Sequence, residues 1–370
     1  MATLTNSGEQ RLFVIHAGTH KTATTYIQSR IMANLDLLAA AGVHVSYPGD
    51  IARKHKPLAE DLGSRELAVW RRFLQNVPKE EAQVLISAEQ FTQPLARPRI
   101  FRRLQRLLAE HGFRLRIVVF LRDQPDYMNA RFVHSTRRLY HCQPFESYVE
   151  QQLNEGELIY NYSRLFARLL DAAAIETCFL PFASGLGDPY ERLMQSQGWC
   201  SPQPWRPADP SQGNIQPGCR GVWLAQAVMR QMQERHGSWE HLLKASATIR
   251  QIAEREGWIA ERYQGLDAEL QQRIAHHYAA ANARFAQRVW GQPWSELFPP
   301  QSVSRRVYEL PPSGPERARM EALVNEVLRR SAAASQRRRL MAPVRAARSL
   351  LLQPWAWPWQ WRSRQRRSAS

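Results

Sequence analysis

Cysteines are few in this sequence, and nothing in their spacing indicates cross-links or zinc. The 370 residues include four, Cys142, Cys178, Cys200 and Cys219, together with 11 scattered histidines. The cysteines are too dispersed for a disulfide framework, and no histidine pair joins them at the spacing of zinc ligands. We therefore expect neither a disulfide scaffold nor a metal site.

Long apolar segments are also missing. The amino terminus, MATLTNSGEQ, lacks the charged and then apolar pattern of a signal peptide, so we expect a cytoplasmic protein. Near the carboxyl terminus, the uncharged run 349–361 contains two prolines. It is shorter than the ~20 residues that cross a bilayer, so we expect no transmembrane helix there.

Acidic residues are absent after Glu326. Of the net charge of +17, 11 units come from the arginines between Arg329 and the end, which leaves +6 for the rest of the chain. Four tryptophans lie between 355 and 361. Tryptophan favours the headgroup region of a bilayer, and each basic residue near anionic lipid adds about 1 kcal/mol of attraction.

Residues 336–370 are therefore expected to form a basic Trp/Arg-rich tail that binds the inner face of the membrane. The alternatives are a solubilising tail or contact with a polyanion. We do not expect nucleic acid to be the partner.

Apolar strands alternate with helical patterns in the first half of the chain. Apolar runs near residues 12, 84, 115 and 177 predict strands, and helical spacing predicts helices over 22–41, 99–111, 124–139 and 158–171. This alternation is typical of an α/β protein with a parallel sheet flanked by helices on both faces. Right-handed crossovers would bring the loops after the strands to one edge of that sheet.

The second half of the chain has a different pattern. Residues 183–300 are mostly helical, interrupted by a Pro/Gly/Ser-rich loop at 201–218, and we expect them to cover the sheet. Residues 301–335 are expected to form a linker and an amphipathic helix. Its apolar face would consist of Met320, Leu323, Val324, Val327 and Leu328.

The stretch LFVIHAGTHKTATTYIQ, residues 12–28, predicts an anion-binding loop. It contains an apolar strand, a turn that Gly18 permits, one lysine and a helix start rich in threonine. The first turn of a helix has unpaired N–H groups and a positive dipole end, which attract phosphate. Lys21 adds a mobile charge, and the neighbouring threonine hydroxyls add donors. Lys21 comes three residues after Gly18 and not directly after a glycine, which departs from the Walker A pattern and weakens an ATP or GTP interpretation.

A second motif, LRIVVFLRDQPDYMNARFVHS, covers residues 115–135. Its apolar run 115–121 predicts a strand buried on both faces of a parallel sheet. Arg122 follows this run directly, so it should point into the crevice where open α/β sheets bind ligands.

These motifs resemble those of the sulfotransferase superfamily. The run His20–Thr25, HKTATT, resembles the loop P-K-[ST]-G-T-[ST] that binds the 5′-phosphosulfate of 3′-phosphoadenosine 5′-phosphosulfate (PAPS), with His20 in place of the proline and Ala23 in place of the glycine. Arg122 resembles the arginine that holds the 3′-phosphate. The serine that follows it by eight residues is Ala130 here, which leaves Asn129 or Ser135 as candidates for that contact unless it is absent.

The resemblance implies a P-loop-like sulfotransferase domain over residues 1–300. The 5′-phosphosulfate loop would be 16–25 and the 3′-phosphate motif 115–135. The implied PAPS-binding residues are Gly18, Thr19, His20, Lys21, Thr22, Ala23, Thr24, Thr25 and Arg122, with Asn129 and Ser135 as the candidates named above.

Two further segments bear on the chemistry. VLISAE, ending at Glu89, is similar to the strand-S-[SA]-E segment of many bacterial sulfotransferases, and HKPLA, beginning at His55, resembles a histidine loop of the same enzymes. The implied reaction moves a sulfuryl group from PAPS to a hydroxyl, which we expect on a carbohydrate or lipid-linked glycan. Lys21 would stabilise the departing phosphate, and Glu89 or His55 would be the base.

No metal is implied in this reaction. One alternative function is that of a P-loop-type nucleotide-dependent kinase. Another is that of a non-catalytic protein that binds membranes or nucleic acid.

Removal of the chain after Arg330 tests the predicted membrane contact. The truncated protein should leave the membrane fraction, because it loses nine arginines and all four of the clustered tryptophans. Cell fractionation of the intact and truncated chains in parallel measures this. Equal membrane content in the two forms would contradict anchoring by the tail.

Overall fold

The computed structural model describes residues 11–49, 54–172, 175–209, 216–234 and 239–349, and gives only the backbone of 239, 240 and 333–349. The tryptophan cluster of the predicted tail, and the rest of 350–370, lie outside the described residues. The predicted basic segment 336–349 belongs to a helix.

One parallel sheet organises the amino-terminal half. Its strands are β1 (Arg11–His16), β2 (Val43–His44), β3 (Gln83–Ser87), β4 (Phe113–Leu121) and β5 (Glu176–Pro181). They are arranged in the order β2-β3-β1-β4-β5, and every described pair is parallel. The predicted α/β class and parallel sheet are confirmed. The two-residue edge strand β2 was not predicted.

Sixteen α-helices occur in the described residues. They are α1 (Thr24–Ala33), α2 (Leu35–Ala40), α3 (Lys56–Asp61), α4 (Ala68–Gln75), α5 (Thr92–Leu95), α6 (Pro98–Glu110), α7 (Gln124–Arg137), α8 (Phe145–Glu155), α9 (Tyr162–Leu165), α10 (Ala167–Leu170), α11 (Pro189–Ser196), α12 (Gly218–Glu234), α13 (Trp239–Arg255), α14 (Ala268–Val289), α15 (Trp294–Leu297) and α16 (Pro315–Ser349). Short 3₁₀ helices cover Glu89–Phe91, Leu158–Tyr160 and Trp258–Ala260. No helix within the described ranges is long and apolar enough to cross a membrane.

Helices cover both faces of the sheet, as predicted. Successive residues of a strand point to opposite faces, and in β1 Phe13 and Ile15 belong to one apolar cluster while Leu12 and Val14 belong to another. The first cluster includes residues of α4, α6, α7 and α14, and the second includes residues of α1 and α11. The sheet is therefore the middle layer of three.

A separate helical layer lies beside the sheet. Residues of α12, α13 and α16 share an apolar core with Leu139, which follows α7. The five apolar residues expected on one face of the amphipathic helix are all buried in this core. The expectation that 183–300 cover the sheet therefore holds for α11 and α14, whereas α12 and α13 build the additional layer.

A buried amide pair fixes the start of α7 against α14. The side chains of Gln124 and Asn282 exchange two hydrogen bonds of 2.7 and 2.8 Å, and Gln124 also donates to the Tyr160 carbonyl at 3.0 Å. Both amides are almost fully buried, so each needs the other as a partner. The pair thus attaches the first residue of α7, two residues after Arg122, to α14.

Replacement of Asn282 by leucine tests this contact. It leaves the Gln124 side-chain oxygen buried without its donor, which should lower the free energy of unfolding by about 1–3 kcal/mol. Urea denaturation measures the change. Gln272→Leu, at an exposed position of the same helix, is the control and should stay within about 0.5 kcal/mol; equal effects of the two variants would contradict the role of the pair.

Candidate functional site

The predicted anion loop lies at the centre of the sheet edge. It follows β1, the middle strand, whose neighbours are β3 and β4. After β1 the chain continues to β2 at one edge of the sheet. After β3 it passes over β1 and forms β4 on the opposite side of that strand. Open α/β sheets bind ligands in the crevice where the strand order reverses in this way.

Gly18 is required in this loop because there is no space for a side chain. A Cβ atom there would lie 2.5 Å from Oγ1 of Thr24 and 3.2 Å from Oγ1 of Thr22. The carbonyl of Gly18 accepts a hydrogen bond from Thr92 at 2.6 Å. The loop backbone is thus packed closely against its own helix and against α5.

Two of the predicted threonines hold the loop in shape. Thr19 donates its hydroxyl to the Phe120 carbonyl at 3.0 Å, and Thr22 donates to the Thr19 carbonyl at 2.5 Å. Both side chains are buried. Their hydroxyl protons are therefore engaged within the protein.

The other two predicted threonines, Thr24 and Thr25, do not hold the loop in this way. Thr24 is buried, and its Oγ1 has no hydrogen-bond partner among the described residues. Thr25 is exposed. Because a buried hydroxyl normally finds a partner, Thr24 is the loop side chain best suited to contact a bound anion.

Two residues of the loop have left-handed backbone conformations. Lys21 and Ala23 have φ values of 69° and 57°, in the left-handed region. Such residues, interleaved with right-handed ones, turn successive N–H groups to one side. The first helical hydrogen bond runs from Ile27 N–H to the Ala23 carbonyl at 2.9 Å. The helix itself therefore leaves the N–H groups of its first turn without partners, and no acidic residue lies in that turn.

The ammonium of Lys21 lies among several charges. Burial, and then the positive charges of Arg137, Arg138 and Arg122, lower its pKa from 10.5 to about 8, while Glu89 opposes the shift. A depressed pKa at a converging set of charges is typical of a functional site.

Arg122 is next to the loop, as the strand-end position predicted. Its Nη1 is 3.4 Å from the Lys21 carbonyl oxygen, and its Nη2 is 3.8 Å from the Asp126 carboxylate. Burial lowers the pKa of Arg122, against the opposing effects of Asp126, Tyr162 and Asp123, and Arg262 adds a smaller lowering. The structure therefore brings Lys21 and Arg122 together at the ends of two adjacent strands.

Both candidates for the missing serine contact form hydrogen bonds within the protein. The Asn129 amide accepts from Gly265 N–H at 3.0 Å and donates to the Tyr263 carbonyl at 3.4 Å. The Ser135 hydroxyl is engaged with the Arg131 carbonyl and with His141 Nε2. The structure thus gives both residues internal partners instead.

Arg262 is a cation that the sequence motifs did not reveal. It lies close enough to Arg122 to lower the pKa of that guanidinium. The hydrogen bonds of Asn129 hold the adjacent residues Tyr263 and Gly265 against α7. Since Arg262 is 140 residues from Arg122 in sequence, only the tertiary fold places the two together.

The two candidate bases, His55 and Glu89, differ in their burial and in their hydrogen bonds. His55 is buried, its Nδ1 accepts from Ser87 N–H at 3.2 Å, and its Nε2 contacts the Ser46 carbonyl at 2.9 Å. Burial lowers its pKa to about 4. Both ring nitrogens are therefore engaged by the backbone, and no lone pair is left for a substrate proton.

Glu89 is less buried than His55. It begins the 3₁₀ helix directly after β3, is partly buried, and accepts a hydrogen bond from Gln90 at 3.0 Å. Its negative charge raises the pKa of Lys21. The carboxylate of Glu89 therefore acts electrostatically on the loop lysine, although the two form no ion pair within 4 Å in the described part of the chain.

Burial lowers the pKa of both histidines of the loop. The Nδ1 of His16 is 2.8 Å from the Ser87 hydroxyl, and burial lowers the pKa of His16 to about 3. Burial and then Arg131 lower the pKa of His20 to about 4, against the opposing effect of Glu89. Positive charge at the loop therefore comes from Lys21 and the arginines.

Helix α7 adds basic side chains that the motif comparison missed. Arg131, His134 and Arg138 follow one another at intervals of three and four residues, which places them on one side of a helix. Burial and then the positive charges of Lys21, Arg137 and Arg138 lower the pKa of His134 to about 2. The spacing of these residues is visible in the sequence. The sequence does not show which face of α7 lies toward the loop.

No group of three or more metal-ligating side chains is found in the described part of the chain. Comparisons of the sequence with protein-family models and curated proteins, and of the fold with solved structures, found no significant match.

Replacement of Ala23 by glycine tests the strained turn. A left-handed L-residue costs roughly 1–2 kcal/mol, and glycine avoids this cost while losing about 0.4–1 kcal/mol in the unfolded state. Ala23→Gly should therefore raise the free energy of unfolding by about 0.5–1 kcal/mol in urea denaturation.

Ala39→Gly is the matched control for that substitution. Ala39 is exposed within α2, where glycine should lower the free energy of unfolding by about 1 kcal/mol. Destabilisation by both variants would show that the turn at Ala23 is not strained.

Proposed function

We propose that the chain is a sulfotransferase that moves a sulfuryl group from PAPS to a hydroxyl of a carbohydrate or lipid-linked glycan. The observation that supports this most is the position of the Lys21 loop and Arg122 at the ends of adjacent strands. A donor with a phosphate at both its 5′ and 3′ positions requires two such anion contacts. The proposal includes a P-loop-like sulfotransferase fold and the cytoplasmic, membrane-facing location expected from the sequence.

The residues present fit the two ends of this donor. At the loop, the unpartnered Thr24 hydroxyl and the N–H groups at the start of α1 match a 5′-phosphosulfate. At the end of β4, Arg122 and the nearby Arg262 match a 3′-phosphate. In this assignment Arg262 supplies the contact that Ala130 lacks.

Each catalytic group has one role in the reaction. Glu89 accepts the proton of the acceptor hydroxyl, whose oxygen forms the new bond to sulfur. The bond between sulfur and the bridging oxygen of the 5′-phosphate breaks, and Lys21 stabilises the negative charge that develops on that oxygen. The products are a sulfate ester and adenosine 3′,5′-bisphosphate. Lys21 and the helix N-terminus supply the positive charge, so the proposal assigns no role to a metal.

His55 is a positioning residue in this proposal. Its ring joins the backbone of Ser46 to that of Ser87 and stacks on Tyr47 at 4.5 Å between ring centroids. Because Ser87 ends β3 two residues before Glu89, His55 stabilises the segment that carries the proposed base.

Ligand titration of the Lys21→Ala variant tests the donor site. Wild-type protein should bind adenosine 3′,5′-bisphosphate more tightly than ATP–Mg, and Lys21→Ala should weaken the bisphosphate about 10- to 100-fold through loss of a charged contact. Isothermal titration calorimetry measures both ligands.

Lys79→Ala serves as the control for charge removal. Lys79 is exposed near the amino ends of the strands, next to Pro78, whose carbonyl accepts from Arg11 at the start of β1. This variant should bind like the wild type. Preference for ATP–Mg would support a kinase, and binding of neither ligand would support the non-catalytic alternative.

The pH dependence of binding provides a separate test. A bound anion favours the protonated form of Lys21, whereas the free protein loses that proton as the pH rises through its pKa of about 8. The dissociation constant of the bisphosphate should therefore rise by up to about tenfold per pH unit above pH 8. Lys21→Arg should remove this dependence, because arginine stays charged; equal slopes in the two proteins would refute the assignment of Lys21.

A further inference from the structure

A second buried polar atom without a partner lies beside the anion loop. It is Nε2 of His16, the last residue of β1, whose side chain is fully buried. This atom has no hydrogen-bond partner among the described residues, and the same is true of Oγ1 of Thr24. Since buried polar atoms are normally paired, two such atoms in one loop require an explanation.

The two atoms lie around one point of the loop. A Cβ atom at Gly18 would be 3.7 Å from Nε2 of His16 and 2.5 Å from Oγ1 of Thr24. Nε2 and Oγ1 are therefore no farther apart than two hydrogen bonds of about 3.2 Å placed end to end. Oγ1 of Thr22 is also near that point, at 3.2 Å, but it already donates to the Thr19 carbonyl. Thr24 is thus the neighbour whose oxygen is available to the imidazole.

Contacts with the two adjacent strands hold the His16 ring in place. Its Nδ1 is 2.8 Å from the Ser87 hydroxyl at the end of β3, and its ring meets that of Phe120 in β4 at 5.6 Å between centroids, in a T-shaped arrangement. The His16 carbonyl accepts from Ala88 N–H at 3.1 Å. Gln28 of α1 donates to the Ser87 carbonyl at 3.1 Å. The contact with Ser87 thus determines the direction in which Nε2 points.

The Ser87 hydroxyl also determines which ring nitrogen carries the proton. A neutral imidazole has one donor and one acceptor nitrogen, and burial lowers the pKa of His16 to about 3, so the ring is neutral near physiological pH. In the segments that the structure describes, Nδ1 of His16 is the one acceptor found for the Ser87 hydroxyl proton. Nδ1 is then the acceptor, and the ring proton lies on Nε2, on the side of Thr24.

A donor at this position fixes the direction of the Thr24 hydroxyl. A hydroxyl has one proton to donate and two lone pairs that can accept. When an N–H group occupies a lone pair, the proton of the hydroxyl turns away from that donor. Thr24 is the first residue of α1, where the N–H groups of the first turn attract an anion. The hydroxyl proton and these N–H groups would then act on the same anion.

We propose that His16 is a positioning residue of the donor site, whose Nε2–H forms a hydrogen bond to Oγ1 of Thr24 when the donor binds, so that the Thr24 hydroxyl donates its single proton to the 5′-phosphate. This inference rests on the proposed sulfotransferase function and adds a residue to its donor site. The Ser87 hydroxyl keeps the imidazole in the required tautomer, and it thereby links the strand that leads to Glu89 with the anion loop.

Two substitutions of His16 separate its two ring nitrogens. Glutamine places an amide N–H near the position of Nε2, whereas the shorter asparagine reaches only the position of Nδ1. His16→Asn should weaken adenosine 3′,5′-bisphosphate about 3- to 10-fold in calorimetric titration of the full chain, and His16→Gln should restore most of that loss. His276→Asn makes the same change at an exposed position of α14 and should have no effect. Equal losses in the two His16 variants would contradict a role of Nε2.

A double-mutant cycle tests whether His16 acts through Thr24. Thr24→Val removes the hydroxyl, keeps the branched shape and should also weaken the bisphosphate. The double variant His16→Asn/Thr24→Val should lose no more affinity than Thr24→Val alone, because the imidazole has no hydroxyl left to orient. Losses that multiply would show that the two side chains act independently, and they would overturn the proposal.

NMR of wild-type protein labelled with ¹⁵N-histidine reads the tautomer without any substitution in the measured sample. The His16 signals are assigned by their loss in His16→Gln. His16 should carry its proton on Nε2, and the Nε2–H signal should shift on addition of the bisphosphate, whereas the corresponding signals of His276 should not. A proton on Nδ1, or an Nε2–H signal that does not respond to the ligand, would contradict the proposal.

Failure of this inference and failure of the proposed function are distinguishable. Multiplying losses with intact bisphosphate binding would remove the role of His16 and leave the donor assignment in place. Absence of bisphosphate binding to the wild type would overturn the sulfotransferase proposal, and the cycle is then measured with inorganic phosphate. Coupled losses of phosphate affinity would still support the action of His16 on Thr24 at an anion site. Multiplying losses, or absence of phosphate binding, would overturn that as well.

Discussion

The hydrogen bonds that tie the loop after β1 to its neighbours are the contacts on which the whole site depends. Thr19 binds the Phe120 carbonyl at the end of β4, and Thr92 of α5 binds the Gly18 carbonyl. These contacts hold the backbone so closely that Gly18 has no room for a Cβ atom. They also support left-handed conformations at Lys21 and Ala23, which are costly for residues other than glycine.

That fixed turn accounts for the electrostatics of the site. It directs Lys21 into a partly buried position near three arginines and one glutamate, where its ammonium is less stable than in water. Burial and the neighbouring cations lower the pKa of both Lys21 and Arg122, although Glu89 opposes the shift at Lys21 and Asp126, 3.8 Å from Arg122, opposes it at Arg122. In the proposed reaction, a polyanionic donor would relieve the remaining repulsion, and Lys21 would stabilise the charge on its leaving oxygen. Burial of Lys21 and its proposed role are thus consequences of one backbone geometry.

The sequence predicted those parts of the molecule that depend on local pattern. Apolar runs located four of the five strands, and the position of Arg122 directly after a buried run placed it at the sheet edge, where the structure has it. The strand β2 has only two residues, too few to show a pattern. Helix α16 extends to Ser349, farther than its apolar face indicated.

Partners that are distant in sequence could not be predicted. His55 looked like a possible base because a histidine can accept a proton, but the backbone of Ser46 and Ser87 engages both of its nitrogens. Asn129 has donors and acceptors of the right kind, yet the segment at Tyr263–Gly265 takes them. The same hydrogen bonds hold the segment next to Arg262, whose charge lowers the pKa of Arg122. Such pairings arise from tertiary packing, so residue type and spacing alone do not reveal them.

The central claim is that one ligand is held by its two phosphates at the ends of two strands. It is tested most directly by measuring the dissociation constants of adenosine 3′,5′-bisphosphate and adenosine 5′-monophosphate for the wild type and for Arg122→Ala. If Arg122 holds the 3′-phosphate, the wild type should prefer the bisphosphate by about tenfold or more, and the variant should bind the two ligands nearly equally. An undiminished preference in the variant would contradict this account.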